Sequence, residues 1–148
     1  MIENEKVVVE YRRESGELWH FEVGAVGLPQ LTVDRRGHSK EVMANDHYGA
    51  RLLCSAALAC FTNTFANTLI SQGADLKGMT ARAEIEKDKD EVFRTKFTVM
   101  HLDVVVDLDE KDRKIFESAK ETMEKGSLVT YSLQDAIEMD ITMRMKGD

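Results

Sequence analysis

The segment Leu52-Leu53-Cys54-Ser55-Ala56-Ala57-Leu58-Ala59-Cys60-Phe61-Thr62 is apolar or small at almost every position. Wound into an α-helix it offers no polar face, and a helix apolar around its circumference is buried on most sides. The helical pattern extends from about Asp46 to Gln72 and ends at Gly73, a residue suited to the left-handed C′ position. A chain of 148 residues is most simply one domain, spanning 1–148, and one domain of this size does not easily wrap such a helix. A dimer that shares strands, or that buries the helix between subunits, is the natural remedy.

Strand patterns flank the helix. Val7, Val9 and Tyr11 alternate with polar residues, as do Trp19, Phe21 and Val23, with Arg13-Glu14-Ser15-Gly16 between them as a hairpin turn. Leu31 to Val33 is a third strand. After the helix, Met79, Ala81, Ala83 and Ile85 keep one parity up to the turn Asp88-Lys89-Asp90. Phe93 to Val99 and Leu102 to Leu108 then keep opposite parities, which places a β-bulge near Met100-His101. Asp109 is a candidate cap for a second helix, whose Ile115, Phe116, Ala119 and Met123 share one face and which stops at Gly126. Beyond the short segment Ser127 to Leu133, Ile137 to Met145 alternate strictly, as in a strand with one wet face. Three strands, a buried helix, two strands, an amphipathic helix and a final strand make an α+β fold with antiparallel sheets packed on the long helix.

The net charge of -7 argues against a binder of nucleic-acid backbones. The basic pairs Arg12-Arg13 and Arg35-Arg36 are too small to reverse that. No run of about 20 apolar residues is present, so no membrane span or membrane partner is expected. Met1 to Lys6 is acidic and lacks the apolar region of a signal peptide, and the expected location is cytoplasmic. His20, His38, His47 and His101 have neither i, i+4 spacing nor a Cys at metal-ligand spacing, so they read as solvated or capping residues and no metal is expected. Phosphate loops and nucleophile elbows are absent, no cofactor is implied, and no nucleophile–base spacing supports a hydrolase or transferase.

Cys60 is then the residue on which function turns. Buried among Ala and Leu, it is either an inert small hydrophobe or a nucleophile shielded from water. Reactivity needs a cation, a His or a helix N-terminus to lower the thiol pKa, and a mid-helix position supplies none of these. Cys54 lies six residues away, about 10 Å along a continuous helix. Disulfides need Cα atoms within about 7 Å, so the two do not pair.

The element order, together with Arg51-Leu52-Leu53-Cys54-Ser55-Ala56-Ala57-Leu58-Ala59-Cys60-Phe61, resembles the OsmC/Ohr family of osmotically inducible and organic hydroperoxide resistance proteins. The resemblance implies an intertwined α+β homodimer with the central helices packed between sheets. It implies that Cys60 attacks an organic hydroperoxide, activated by an arginine of the first hairpin, Arg13 or Arg12, with Arg13 ranked first because it abuts the turn. Two features of the family pattern are missing. Ser127, in Ser127-Leu128-Val129-Thr130-Tyr131-Ser132-Leu133, stands where the resolving Cys belongs, and Ala50 falls near the acid that orients the arginine. The implied function is a one-Cys peroxidase of oxidative stress defence that uses an external thiol reductant. The alternative is a non-catalytic dimer that binds a small hydrophobic ligand.

Overall fold

The computed structural model describes residues 5–148, so the first four residues of the acidic segment Met1 to Lys6 lie outside the described residues. The chain divides into two units, Met1–His47 and Tyr48–Asp148, each with its own three-stranded sheet.

The first unit is an antiparallel meander of β1 (Glu10–Ser15), β2 (Leu18–Ala25) and β3 (Leu28–Asp34), followed by one helical turn, α1 (Lys40–Met43). The strand expected at Val7 starts only at Glu10. Gly24, with a φ of 78°, lies among the β2 positions that would face residues 7–9, and the pairing of β2 with β3 shifts register there as well. The turn falls at Gly16-Glu17 and not at Arg13 to Gly16, which moves Arg13 into the strand. Pro29 sits on β3, an edge strand, where a missing N–H is tolerated.

In the second unit, α2 (Tyr48–Ser71) is a single uninterrupted helix. It closes as expected. Gly73 has φ 96°, its N–H bonds to the Ile70 carbonyl, and the N–H of Ala74 bonds to that of Leu69, both at 3.0 Å. These are the paired bonds of a Schellman cap, and buried Ala74 and Leu69 add its apolar contact. Next come β4 (Gly78–Lys89) and β5 (Thr95–Asp107), an antiparallel pair closed by Asp90, whose Oδ1 accepts from the N–H groups of Val92 and Arg94. Glu86 faces Val99 and Lys87 faces Phe97, so Thr98 is the extra residue. The bulge is real and lies two residues before the expected place.

A 3₁₀ turn (Glu110–Asp112), α3 (Arg113–Met123) and α4 (Leu128–Leu133) lead to β6 (Glu138–Met145). Asp109 starts the 3₁₀ turn through its backbone and makes no side-chain cap; its carboxylate takes Lys77 Nζ at 2.6 Å. Buried Asp112 accepts instead from the N–H of Asp75, 3.0 Å away, which ties the chain leaving α2 to the start of α3. β6 pairs with β5 in parallel, so the second sheet is mixed and only the first is antiparallel throughout. A parallel return needs a long crossover, which α3 and α4 supply.

The fold is α+β. Its core lies in the second unit, where Ala57, Phe61, Phe65 and Leu69 of α2 meet Met100, Leu102, Val104 and Val106 of β5, Phe116 and Met123 of α3, and Met143 and Met145 of β6. The four α2 residues are fully buried and recur every four positions, forming one stripe. Burial on most sides does not hold within one chain, since Leu52, Ala56, Ala59 and Ile70 are exposed. By length and composition α2 is apolar enough to cross a membrane, contrary to the expectation from the sequence, but its buried stripe packs on the chain's own sheet and α3 as a core helix does.

Candidate functional site

Two positions on α2 carry thiols, and the helix presents them differently. Residues six apart are rotated by about 600°, which leaves the two side chains roughly 120° apart around the axis and about 9 Å apart along it. Both cysteines are free, as helix continuity requires. Cys54 packs against the core, and burial pushes its thiol pKa up while the positive charge of Arg51 opposes the shift. Cys60 is half-buried, off the Ala57–Leu69 stripe, with its carbonyl accepting from Thr64 Oγ1 at 3.0 Å. Ser55, Thr62 and Thr68 donate to carbonyls one turn back in the same way. These hydroxyls are satisfied within the helix and need no outside partner.

Ser127 is buried at the N-cap of α4. Its N–H donates to Thr130 Oγ1 at 2.8 Å, and the two hydroxyls lie 3.3 Å apart. Gly126 precedes it with φ 84°, and a Cβ there would meet Thr130 Oγ1 at 2.8 Å. The position matched to a resolving thiol is thus filled by a hydroxyl with a capping task. Ala50 lies half-buried in the first turn of α2, where it supplies no acid.

In the first unit, the turn at Gly16-Glu17 leaves Arg12 and Arg13 as consecutive strand residues, which face opposite sides of the sheet. Arg12 shares its side with Glu14, 4.0 Å away, and Glu14 binds His20 Nε2 at 2.7 Å. Arg13 lies on the aromatic side. Its Nε donates to the Tyr11 hydroxyl at 2.9 Å, and its Cζ sits 4.6 Å from the centre of the Trp19 ring. Arg35, of the basic pair Arg35-Arg36, has its Cζ 5.3 Å from the same ring. Alternation alone could have separated Arg12 from Arg13 once the turn was known, but the stacking of Arg35 on Trp19 is a tertiary contact with no local signal. Cys60 belongs to the second unit and both candidate arginines to the first.

His101 is partly exposed and ion-paired, where a solvated or capping residue was expected. Its Nδ1 meets Asp140 Oδ2 at 2.7 Å and its Nε2 meets Glu86 Oε2 at 2.6 Å, linking the three strands of the second sheet. Hydrogen bonds to the two carboxylates hold the imidazolium and push its pKa up to about 9. The carboxylates lie on diverging ring nitrogens, so the group is an ion-paired clamp.

A family model described as OsmC-like protein matches residues 49–142. The chain belongs to the OsmC-like family. The match runs from the start of α2 into β6 and leaves out the first hairpin with its arginines. Solved structures cover more of the chain. A hypothetical protein from Aquifex aeolicus superposes with a TM-score of 0.68 at 14% identity, over 96% of this chain and 97% of its own. An OsmC-like protein from Mycoplasma pneumoniae also gives 0.68, at 11% identity and 96% and 98% coverage. The organic hydroperoxide resistance protein OhrB of Bacillus subtilis gives 0.55 at 16% identity, over 94% and 98%. At these identities the likeness is one of fold. No curated protein matches in sequence.

Proposed function

We propose that this OsmC-like chain is a one-Cys, thiol-dependent peroxidase that reduces organic hydroperoxides, with Cys60 as nucleophile and Arg13 as its activating cation. The observation that carries the reading is the half-buried, unpaired Cys60 on the central helix of an OsmC-like fold, set off the core stripe. The Cys60 thiolate attacks one peroxide oxygen, the O–O bond breaks, and the alcohol leaves after taking up a proton. Cys60 becomes a sulfenic acid. A first external thiol condenses with it, releasing water and forming a mixed disulfide, and a second thiol frees Cys60 and carries away the disulfide. Ser127 cannot take the first of these steps, and the rotation between Cys54 and Cys60 keeps Cys54 out of it.

Arg13 is preferred to Arg12 because Arg12 and the carboxylate of Glu14 form an ion pair, whereas Arg13 is held by a hydroxyl and an indole that leave its charge uncompensated. An uncompensated guanidinium favours a thiolate and donates hydrogen bonds to a peroxide oxygen. The working unit of this reading is a homodimer, supported by the apolar residues that α2 leaves open, with Leu52 at 38% and Ile70 at 56% exposure.

One observation favours a second reading, a non-catalytic dimer that binds a small hydrophobic ligand. An open groove of about 500 Å³ runs between α2 and β4, lined by Leu58, Ala59, Thr62, Ala66, Met79 and Ala81. Steady-state consumption of cumene hydroperoxide with a dithiol reductant separates the two. Turnover in the wild type that is lost in Cys60→Ser and reduced at least about tenfold in Arg13→Gln supports the peroxidase. Equal rates in wild type and Cys60→Ser leave the binding protein.

A further inference from the structure

The two basic pairs of the first unit are built alike. In each, one arginine has a carboxylate and its neighbour has none. Arg12 pairs with Glu14, and Arg36 takes Asp34 through a two-pronged contact at 2.9 and 2.8 Å that pulls the Asp34 carboxyl down to about 2. Among the described residues, Arg13 and Arg35 form no ion pair. Both converge on Trp19, Arg13 from its cross-strand position on β1 and Arg35 from just beyond β3, whose Val33 pairs with Trp19.

Each of the two guanidinium groups is anchored through Nε to a neutral acceptor. Arg13 uses the Tyr11 hydroxyl and Arg35 the Met43 sulfur, at 3.3 Å. The Nη groups, which carry four of the five N–H donors of each guanidinium, make no hydrogen bond among the described residues. Side-chain freedom has been given up without neutralising either charge, and two like charges share one ring in a chain whose acids outnumber its bases. A guanidinium held through Nε with its Nη groups unbonded presents the fork that matches a carboxylate bidentately. The surroundings are apolar and aromatic, with Tyr11 and Phe21 in ring contact at 5.2 Å and Leu31 paired with Phe21.

We propose that Arg13, Trp19 and Arg35 form a binding site for a small organic anion, a carboxylate carrying an apolar body. The carboxylate meets the free Nη groups and the body lies along Trp19 and Phe21. Arg13, Trp19 and Arg35 all belong to the first unit; Arg13 is shared with the proposed peroxidase chemistry, but the anion site needs no reaction at Cys60.

Trp19 is the only tryptophan in the chain, so its fluorescence reports on this site without a label. The full-length protein is titrated with sodium hexanoate, with sodium chloride at matched ionic strength and hexan-1-ol as controls, and the titration is repeated in Cys60→Ser to keep it separate from the peroxidase reading. A saturable change with hexanoate, absent with chloride and hexanol, is expected. Arg13→Gln and Arg35→Gln, which keep part of the stem that packs on the ring, should each weaken the midpoint roughly tenfold, and Arg36→Gln should leave it in place. Circular dichroism checks that the variants are folded. No saturable change with hexanoate, an equal response to hexanol, or folded Gln variants at both positions that titrate like the wild type would overturn the proposal.

Discussion

The two sides of α2 are made for different ends. On one, Ala57, Phe61, Phe65 and Leu69 are fully buried against β5 and α3, with Cys54 packed beside them. On the other, Ala56 and Ala59 are exposed and Cys60 is half-buried, and the nearby hydroxyls are tied back to the helix. The large side chains cluster where burial stabilises the fold. Ala56 and Ala59 beside Cys60 are small, while the larger Leu52 and Ile70 stand exposed nearer the ends of the helix. One helix thus holds a cysteine packed on the core and, a little over a turn and a half further on, a half-buried one off the core stripe.

The largest expected effect lies on the buried side. Phe65 is in ring contact with Phe61 and Phe116, both at 6.2 Å between centroids. Phe65→Ala should lower the unfolding free energy by about 3–5 kcal/mol in urea denaturation. Alanine at exposed Asn63 should shift it by no more than about 0.5 kcal/mol. Similar losses at both positions would erase the distinction between the two sides.

A smaller effect concerns the thiols. Burial raises the Cys54 pKa and so lowers its thiolate fraction near neutrality. Alkylation by iodoacetamide, followed by peptide mass analysis, should label Cys60 at least about tenfold faster than Cys54. Equal rates would mean that the core does not shield Cys54. Cys54→Ala should cost about 1 kcal/mol or less of stability and leave any hydroperoxide consumption intact.

The smallest effect is expected far from α2. His101 has a folded-state pKa of about 9 against an ordinary 6.5, so its contribution to stability is fully present below about pH 6.5 and is lost as pH rises through about 9. A melting temperature recorded across that interval should fall more steeply in the wild type than in His101→Gln. Parallel curves would show that the clamp adds nothing to stability.

Much of this was legible in the sequence. The span of α2 and its Gly73 cap follow from a long apolar run that ends in glycine, a local signal. The parity switch on β5 was readable, but its place was not, because the residue left over at Thr98 depends on the register with β4. Alternation along β6 announced a strand with one wet face and carried nothing about its direction, so the parallel pairing with β5 was out of reach. The site shows the same division. Cys60 stands out by its helix, and the missing partner at Ser127 by resemblance. The different surroundings of Arg13 and Arg12 follow only from a turn at Gly16-Glu17, and the contact of Arg35 with Trp19 only from the path of β3.

The central claim is that Cys60 is the reacting thiol. Its most direct test is the intact mass of the protein after brief treatment with cumene hydroperoxide, in the presence and absence of a sulfenic-acid probe. The account predicts the gain of one oxygen atom, capture by the probe, localisation to Cys60, and loss of both signals in Cys60→Ser but not in Cys54→Ser. A Cys60 thiol left unchanged by excess hydroperoxide would contradict it.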